Sequence, residues 1–265
     1  MRSALLYQTH IWSSEIEAQF DQLSSLDGIS TWILLDSRTP TADMLVRRYS
    51  RCYVFDLERL FRLPYPRIQT PGLKGHAQFP VLQFFLSHPN YDYYWFVEYD
   101  VRYTGSWNSL TSSFASFDHD FITTHIRRFS DEPRWCWWET FGHPSKKIEQ
   151  NEWIRSFNVI YRISNRALGF LHRELPTGWH GHHEALVATV LHHYGFKLLD
   201  FGGDGPFALP ELCNKTYTSY SSIDGSLSNN SGTIRFRPSR VKNGSLKNKI
   251  YHPVKPERRL LDYDA

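Results

Sequence analysis

The sequence predicts an α/β protein, a single open domain whose central, mostly parallel sheet is flanked by helices. Three observations point there. Short apolar runs alternate with segments of helical periodicity, as βα units require. The run Tyr93-Tyr94-Trp95-Phe96-Val97 is apolar on both faces, which suits a strand in the middle of a covered sheet. The 265 residues are 41% hydrophobic and 22% charged, enough for one full core and short of any membrane class.

The elements follow in order. Residues 4–7 read as a first strand and 16–26 as a helix. Residues 32–35 form a second strand ending at Asp36, 41–49 a helix, and 52–55 a short strand. Residues 72–75 are a Gly-flanked loop. A helix starts near Phe79, with Pro80 in its first turn, and ends at His88-Pro89-Asn90. After the strand at 93–97, further strands are expected at 121–124, 157–163 and 196–201. Residues 183–194 form a helix with Leu186, Val187, Val190, Leu191 and Tyr194 as its buried stripe. Residues 216–233, rich in Ser, Asn, Thr and Gly, read as a loop, with order returning by Ile234. No internal repeat or domain boundary is visible. The chain divides into one half at about 1–105, a second at about 106–255, and a tail at 256–265.

Composition limits the function. A net charge of +3 does not call for nucleic acid as a partner but suits small anions. Cys52, Cys136 and Cys213 are scattered and odd in number, which argues for a reducing compartment. The opening apolar run is too short for a signal peptide, and no stretch approaches the roughly 20 apolar residues of a membrane span. The expectation is a cytoplasmic protein. Glycosylation patterns at Asn214, Asn229 and Asn243 then occur by chance. The tail carries Arg258, Arg259, Leu260 and Leu261, a pattern able to touch the inner face of a membrane, though a solvated tail is the simpler reading. Aromatic residues reach 16%; most are assigned to the core, and some are suited to stacking on bases and sugars.

The 93–97 strand runs into Glu98-Tyr99-Asp100. Ligands of open α/β sheets gather at the carboxyl ends of strands. Two carboxylates there, two residues apart, can aim at one hard cation such as Mg²⁺ or Mn²⁺. An acidic surface turn is the plain alternative. The segment YWFVEYDVRYTGSW resembles the strand and acidic motif of GT-A glycosyltransferases, usually Asp-x-Asp. Glu98 departs from that pattern by one methylene. The resemblance implies a Rossmann-like nucleotide-sugar half followed by an acceptor half. It also implies a UDP-sugar or similar donor, a saccharide or glycolipid acceptor, and a Mn²⁺ or Mg²⁺ cofactor.

Gly178-Trp179-His180-Gly181-His182-His183-Glu184 opens the 183–194 helix. Zinc-protease spacing fails, because a second histidine would fall at Val187. Glu184 precedes Leu191 by seven residues, so it shares the buried face and points inward. In inverting GT-A enzymes one Asp or Glu takes the proton of the acceptor hydroxyl, and the resemblance implies Glu184 for that role. The alternative is a carboxylate complementing the helix dipole. His182 and His183 would orient the base, contact acceptor or phosphate, or simply be satisfied histidines.

Tyr251-His252-Pro253-Val254-Lys255 resembles the C-terminal segment that completes the metal site in many GT-A enzymes. This makes His252 a third ligand and Lys255 a phosphate contact; a Pro-anchored turn is the alternative. Gln8, Thr9 and Asp36 sit where such folds hold base and ribose. Lys74 and His76 precede a helix N-terminus, and with Tyr99 complete the expected donor side. Trp138, from the cluster Trp135, Trp137, Trp138 and Glu139, joins Arg155, Asn158, His182 and His183 on the expected acceptor side. EYDV, GHHE and YHPVK together resemble bacterial β-galactofuranosyltransferase domains that build O-antigen and related surface polysaccharides. A retaining transferase, a zinc hydrolase using the histidine cluster, and a non-catalytic carbohydrate-binding protein remain as alternatives.

Overall fold

A computed structural model describes residues 1–220, 232–234 and 242–256. Asn229, most of the 216–233 loop and the tail residues Arg258, Arg259, Leu260 and Leu261 lie outside them.

The elements alternate as the sequence predicts. β1 (Ser3–Thr9), α1 (Ser14–Ser24), β2 (Ile29–Asp36), α2 (Ala42–Arg48) and β3 (Cys52–Phe55) are followed by α3 (Leu57–Leu60), α4 (Gln78–Ser87) and β4 (Tyr93–Glu98). β5 (Arg102–Tyr103), α5 (Trp107–Ser113), β6 (Phe121–Arg128), β7 (Ile154–Ser164) and α6 (Asn165–Glu174) come next. α7 (His183–His193), β8 (Leu198–Asp200) and β9 (Ile250–Tyr251) complete the set. The seven-stranded sheet has the order β3-β2-β1-β4-β7-β6-β8. β1 is parallel to β2 and β4, β2 to β3, and β6 to β8, while β7 runs against both β4 and β6. The sheet is therefore mostly parallel.

Alternation along the central strands divides the core into two layers. Ala4, Leu6, Tyr94 and Phe96 pack on one face, with α4, α6 and α7. Leu5, Tyr7, Trp95 and Val97 pack on the other, with α1 and α5. This is why the 93–97 run carries no polar face. α1 starts where the Ser13 hydroxyl accepts from Ile16 N, and it buries Ile16, Phe20 and Leu23. α5 and α6 extend the expected set; Ser106 and Ser164 cap them in the same way.

β7 begins earlier than expected, at Ile154, because Arg155 and Ser156 are buried rather than in a loop. Since β7 is antiparallel to β4, with Val97 opposite Ile160, its residues 157–158 project past the carboxyl end of β4. One strand end thus faces the start of another. β5 and β9 form a small antiparallel ladder, Arg102 opposite Tyr251 and Tyr103 opposite Ile250. That register carries the chain after β9 back along residues 100–101. No helix among the described residues is long and apolar enough to cross a membrane.

Candidate active site

A cleft of about 420 Å³ opens at the carboxyl ends of β1 and β4. Its floor holds Gln8, Glu98 and Asp100, one wall is Phe157, Asn158 and Val159 of β7, and His182, His183 and Glu184 come from the start of α7. Lys74, Trp137, His252 and Lys255 close the rim.

The acidic corner follows from the β5–β9 ladder. Val254 N donates to the Asp100 carbonyl at 2.8 Å, which holds the late segment against the acidic motif. His252 Nε2 then lies 3.6 Å from Glu98 Oε2 and 3.5 Å from Asp100 Oδ1. One donor atom from each residue lies within 4.8 Å of the others, and this is the one such group found among the described residues. The His252 Nδ1 is 3.2 Å from the Ile234 carbonyl, a contact that holds the ring with Nε2 toward the two carboxylates. That arrangement orients a metal-ligating imidazole. Asp100 Oδ1 is buried and accepts no hydrogen bond among the described residues. A buried carboxylate oxygen without a donor is costly unless a cation meets it. The three side chains therefore fit a hard divalent cation.

The charges agree. Burial raises the Glu98 carboxyl above its usual range, and Asp100 adds to this while His252 opposes it. Burial works against a charged His252, yet Asp100 and Glu98 outweigh it and raise its pKa. Excess negative charge in a low-dielectric corner favours a positive guest.

α7 begins within the cleft for local reasons. His182 Nδ1 accepts from Glu184 N at 3.4 Å and so caps the helix, while His183 N donates to the Gly75 carbonyl at 2.9 Å. Gly75 has φ +83°, and a Cβ there would come within 2.8 Å of Ile68 Cδ1, so the loop needs glycine at this point. Glu184 is buried and its Oε2 lies 3.8 Å from both His182 Nδ1 and Arg155 Nη2. Burial pushes His183 down to about 3, and burial, then His183 and Arg155, depress His182 as well. Both rings are neutral at neutral pH. The unfolded chain binds these protons near 6.5 and the folded chain does not, so stability falls as pH drops below about 6.5. We expect the urea midpoint of the metal-free protein to fall between about pH 6.5 and 4, and His183→Gln to flatten that decline. An equal slope in the variant would remove His183 from the account.

Other expected residues are placed differently. Trp138 does not line the cleft. It is buried against Phe129, Trp135 and Trp153, and its Nε1 donates to the Glu132 carbonyl at 2.9 Å. Trp137 takes the wall position, stacked on His182 at 4.5 Å with the Lys74 ammonium 5.4 Å from its ring centre. In an irregular segment no periodicity separates these neighbouring residues. We expect Trp138→Ala to cost about 3–5 kcal/mol in stability, as loss of a buried large ring does, and Trp137→Ala far less. Chemical denaturation of both variants checks this.

Asp36 lies outside the cleft lining, and Arg38 grips it, with Nη2 at 2.6 Å from Oδ2. Thr9 is buried with its hydroxyl donating to the Ile11 carbonyl at 2.5 Å. His76 is buried, stacked on Phe79 at 4.9 Å, with Nε2 3.2 Å from the Ile68 carbonyl. Tyr99 turns from the cleft to meet His10 edge-on at 5.0 Å. Arg155 stands behind Glu184 rather than at the surface of the cleft. In each case packing, a hydrogen bond or an ion pair holds the side chain away from the cavity. Gln8 does line the cleft, and its Oε1 is buried with no hydrogen-bond partner among the described residues.

A family model described as a protein of unknown function (DUF3405) matches residues 50–121, a stretch that includes β4 and the acidic motif. No curated protein matches the chain in sequence. Among solved structures, one similar chain is a putative glucose-1-phosphate thymidylyltransferase from Bacillus anthracis, with 11% identity, TM-score 0.44, and 76% of this chain and 86% of that one covered. Another is the inositol-1-phosphate CTP transferase from T. maritima, with 10% identity, TM-score 0.40, and coverage of 78% and 86%. A third is a glycosyltransferase involved in glycosylation of the major capsid of PBCV-1, with 9% identity, TM-score 0.37, and coverage of 76% and 82%. Likenesses of this strength carry no inference about chemistry.

Proposed function

We propose that this protein is a metal-dependent, inverting glycosyltransferase that moves a sugar from a nucleotide diphosphate donor to a saccharide hydroxyl. One observation carries the reading: a single cleft holds Glu98, Asp100 and His252 at its floor and rim and a buried carboxylate, Glu184, in its wall. A Mn²⁺ or Mg²⁺ ion held by those three residues would neutralise the charge gathering on the departing diphosphate. Lys74 and Lys255 at the rim add positive charge for the phosphates. Gln8, whose amide oxygen has no hydrogen-bond partner among the described residues, is the donor-side group able to read a base or ribose hydrogen.

On the acceptor side Trp137 offers a ring face, and Asn158, His182 and His183 offer polar contacts. Glu184 takes the proton from the acceptor hydroxyl. That oxygen forms the new bond to the anomeric carbon as the bond to the diphosphate oxygen breaks on the opposite face. The transition state has oxocarbenium character. The likeness of EYDV, GHHE and YHPVK to galactofuranosyltransferase domains makes UDP-galactofuranose the first donor to test.

Thermal-shift measurements on a panel of nucleotide sugars, with and without Mn²⁺, test the reading. A true donor at ~100 times its dissociation constant adds about 2.7 kcal/mol, and only with metal present. NMR of the product then reports the anomeric configuration. A retained configuration would sink the role given to Glu184. Failure of every nucleotide sugar would remove the transferase reading and leave a carbohydrate-binding protein. A zinc hydrolase built on the histidine cluster is disfavoured: the metal-capable group among the described residues does not include His180, His182 or His183.

A further inference from the structure

Behind Glu184 lies a chain of buried ionisable groups that the proposed reaction does not use. Arg155 on β7 and Glu132 and His125 on and after β6 are each 0–1% exposed. Arg155 Nη1 donates to Glu132 Oε2 at 2.7 Å, and the guanidinium lies 3.9 Å from the centre of the Trp135 ring. His125 Nε2 is 2.9 Å from Glu132 Oε1, and His125 Nδ1 is 2.8 Å from the Ser219 hydroxyl. The other arm of the guanidinium, Nη2, faces Glu184 Oε2 at 3.8 Å.

The backbone is bent to make this possible. β6 loses regular register with β7 between Thr124 and Arg127, and His125 sits in the bulge at φ +48°, a region that side-chain-bearing residues rarely enter. Strained positions persist where the surroundings over-determine them, and they cluster at functional sites. Burying an arginine and a glutamate here is also expensive unless each is paired. A structural role alone would be served by a closed Arg155–Glu132 pair. Instead the free arm of the guanidinium points to the carboxylate in the cleft.

We propose that Arg155 is a positioning residue that holds the Glu184 carboxylate in its cleft orientation, and that Glu132 and His125 hold Arg155. The proposal rests on the role given to Glu184 above. The cleft that Glu184 lines also holds His182 and His183 from its own helix start, Lys74 from the 72–75 loop, and Glu98, Asp100 and His252. Arg155 is the buried guanidinium paired with Glu184, at 3.8 Å.

The test is ¹³C NMR titration of the metal-free protein labelled at glutamate carboxyls, with the Glu184 signal assigned by its loss in Glu184→Gln. Arg155→Met should raise the Glu184 midpoint by roughly one to two units, since an opposite charge at this range lowers a carboxyl by about that much. Arg155→Met leaves Glu132 buried without its cation, so the double variant Glu132→Gln/Arg155→Met, which removes both charges, is measured beside it. An upward shift in the double variant, with Arg155→Lys close to wild type, supports the proposal. An unchanged midpoint in the double variant overturns it. If Glu184→Gln retains full sugar transfer, the base role fails, while the titration still judges the positioning chain.

Discussion

Glu184→Gln is expected to lower kcat by roughly 10²- to 10⁴-fold, the range supplied by one well-placed general base. The side chain keeps its size and its place in the cleft wall but cannot accept a proton. Donor and Mn²⁺ affinities should stay within a few-fold of wild type, because Glu184 is not part of the metal-capable group. Steady-state kinetics with calorimetric titration of donor and metal separates the two effects. Loss of kcat with intact binding supports base catalysis. Equal loss of binding would point to a structural carboxylate at the helix start, and unaltered kcat would remove Glu184 from the chemistry.

Asp100→Ala is expected to weaken Mn²⁺ binding by at least about 100-fold. Even partners that only orient a ligand cost 10- to 100-fold when lost, so a direct ligand costs no less. The buried Oδ1, with no hydrogen-bond partner among the described residues, is the reason to place Asp100 at the centre of the site. Turnover should fall with metal occupancy and recover partly in excess Mn²⁺, while the fold tolerates the loss of one charge from a crowded acidic corner. Metal titration followed by calorimetry decides it. Unaltered affinity would show that the carboxylates serve another purpose, and the metal-dependent reading would fall with it.

Much of the architecture was legible. The double-faced apolar run at 93–97 identified a central strand, and the apolar pattern of α7 located a buried helix, though α7 is buried on all sides from Glu184 to Leu191 and Tyr194, expected in its buried stripe, is exposed past its end. Both signals arise from burial repeated along a regular element, which leaves a pattern in the residues themselves. α6 was harder to see. Its sequence NRALGFLHRE buries only Ala167, Leu168 and Leu171, and its start depends on the Ser164 cap. β7 starts earlier than its apolar run suggests, because Arg155 is buried only once Glu132, distant in sequence, neutralises it.

The site divides along the same line. Residues at the ends of regular elements, Gln8, Asp100, His183 and Glu184, reach the cleft as their positions predict. Other strand-end residues are captured by local hydrogen bonding instead. Thr9 turns to the Ile11 carbonyl, and Asp36 is taken by Arg38, two residues on. Trp137 and Trp138 differ only by which side of a short irregular segment each faces.

By itself the sequence determined the α/β class, the central strand and the carboxylates at its end, because local periodicity and strand polarity are written in neighbouring residues. No local pattern but only a family resemblance pointed to His252, more than 150 residues away, and the tertiary structure sets it beside Asp100, since the β5–β9 register brings the late segment there. Tertiary structure alone decided that Arg155 backs Glu184 rather than lining the cleft. Contacts of that kind depend on which distant partner neutralises a buried charge, and a burial cost settled by a partner far along the chain leaves no local pattern to read.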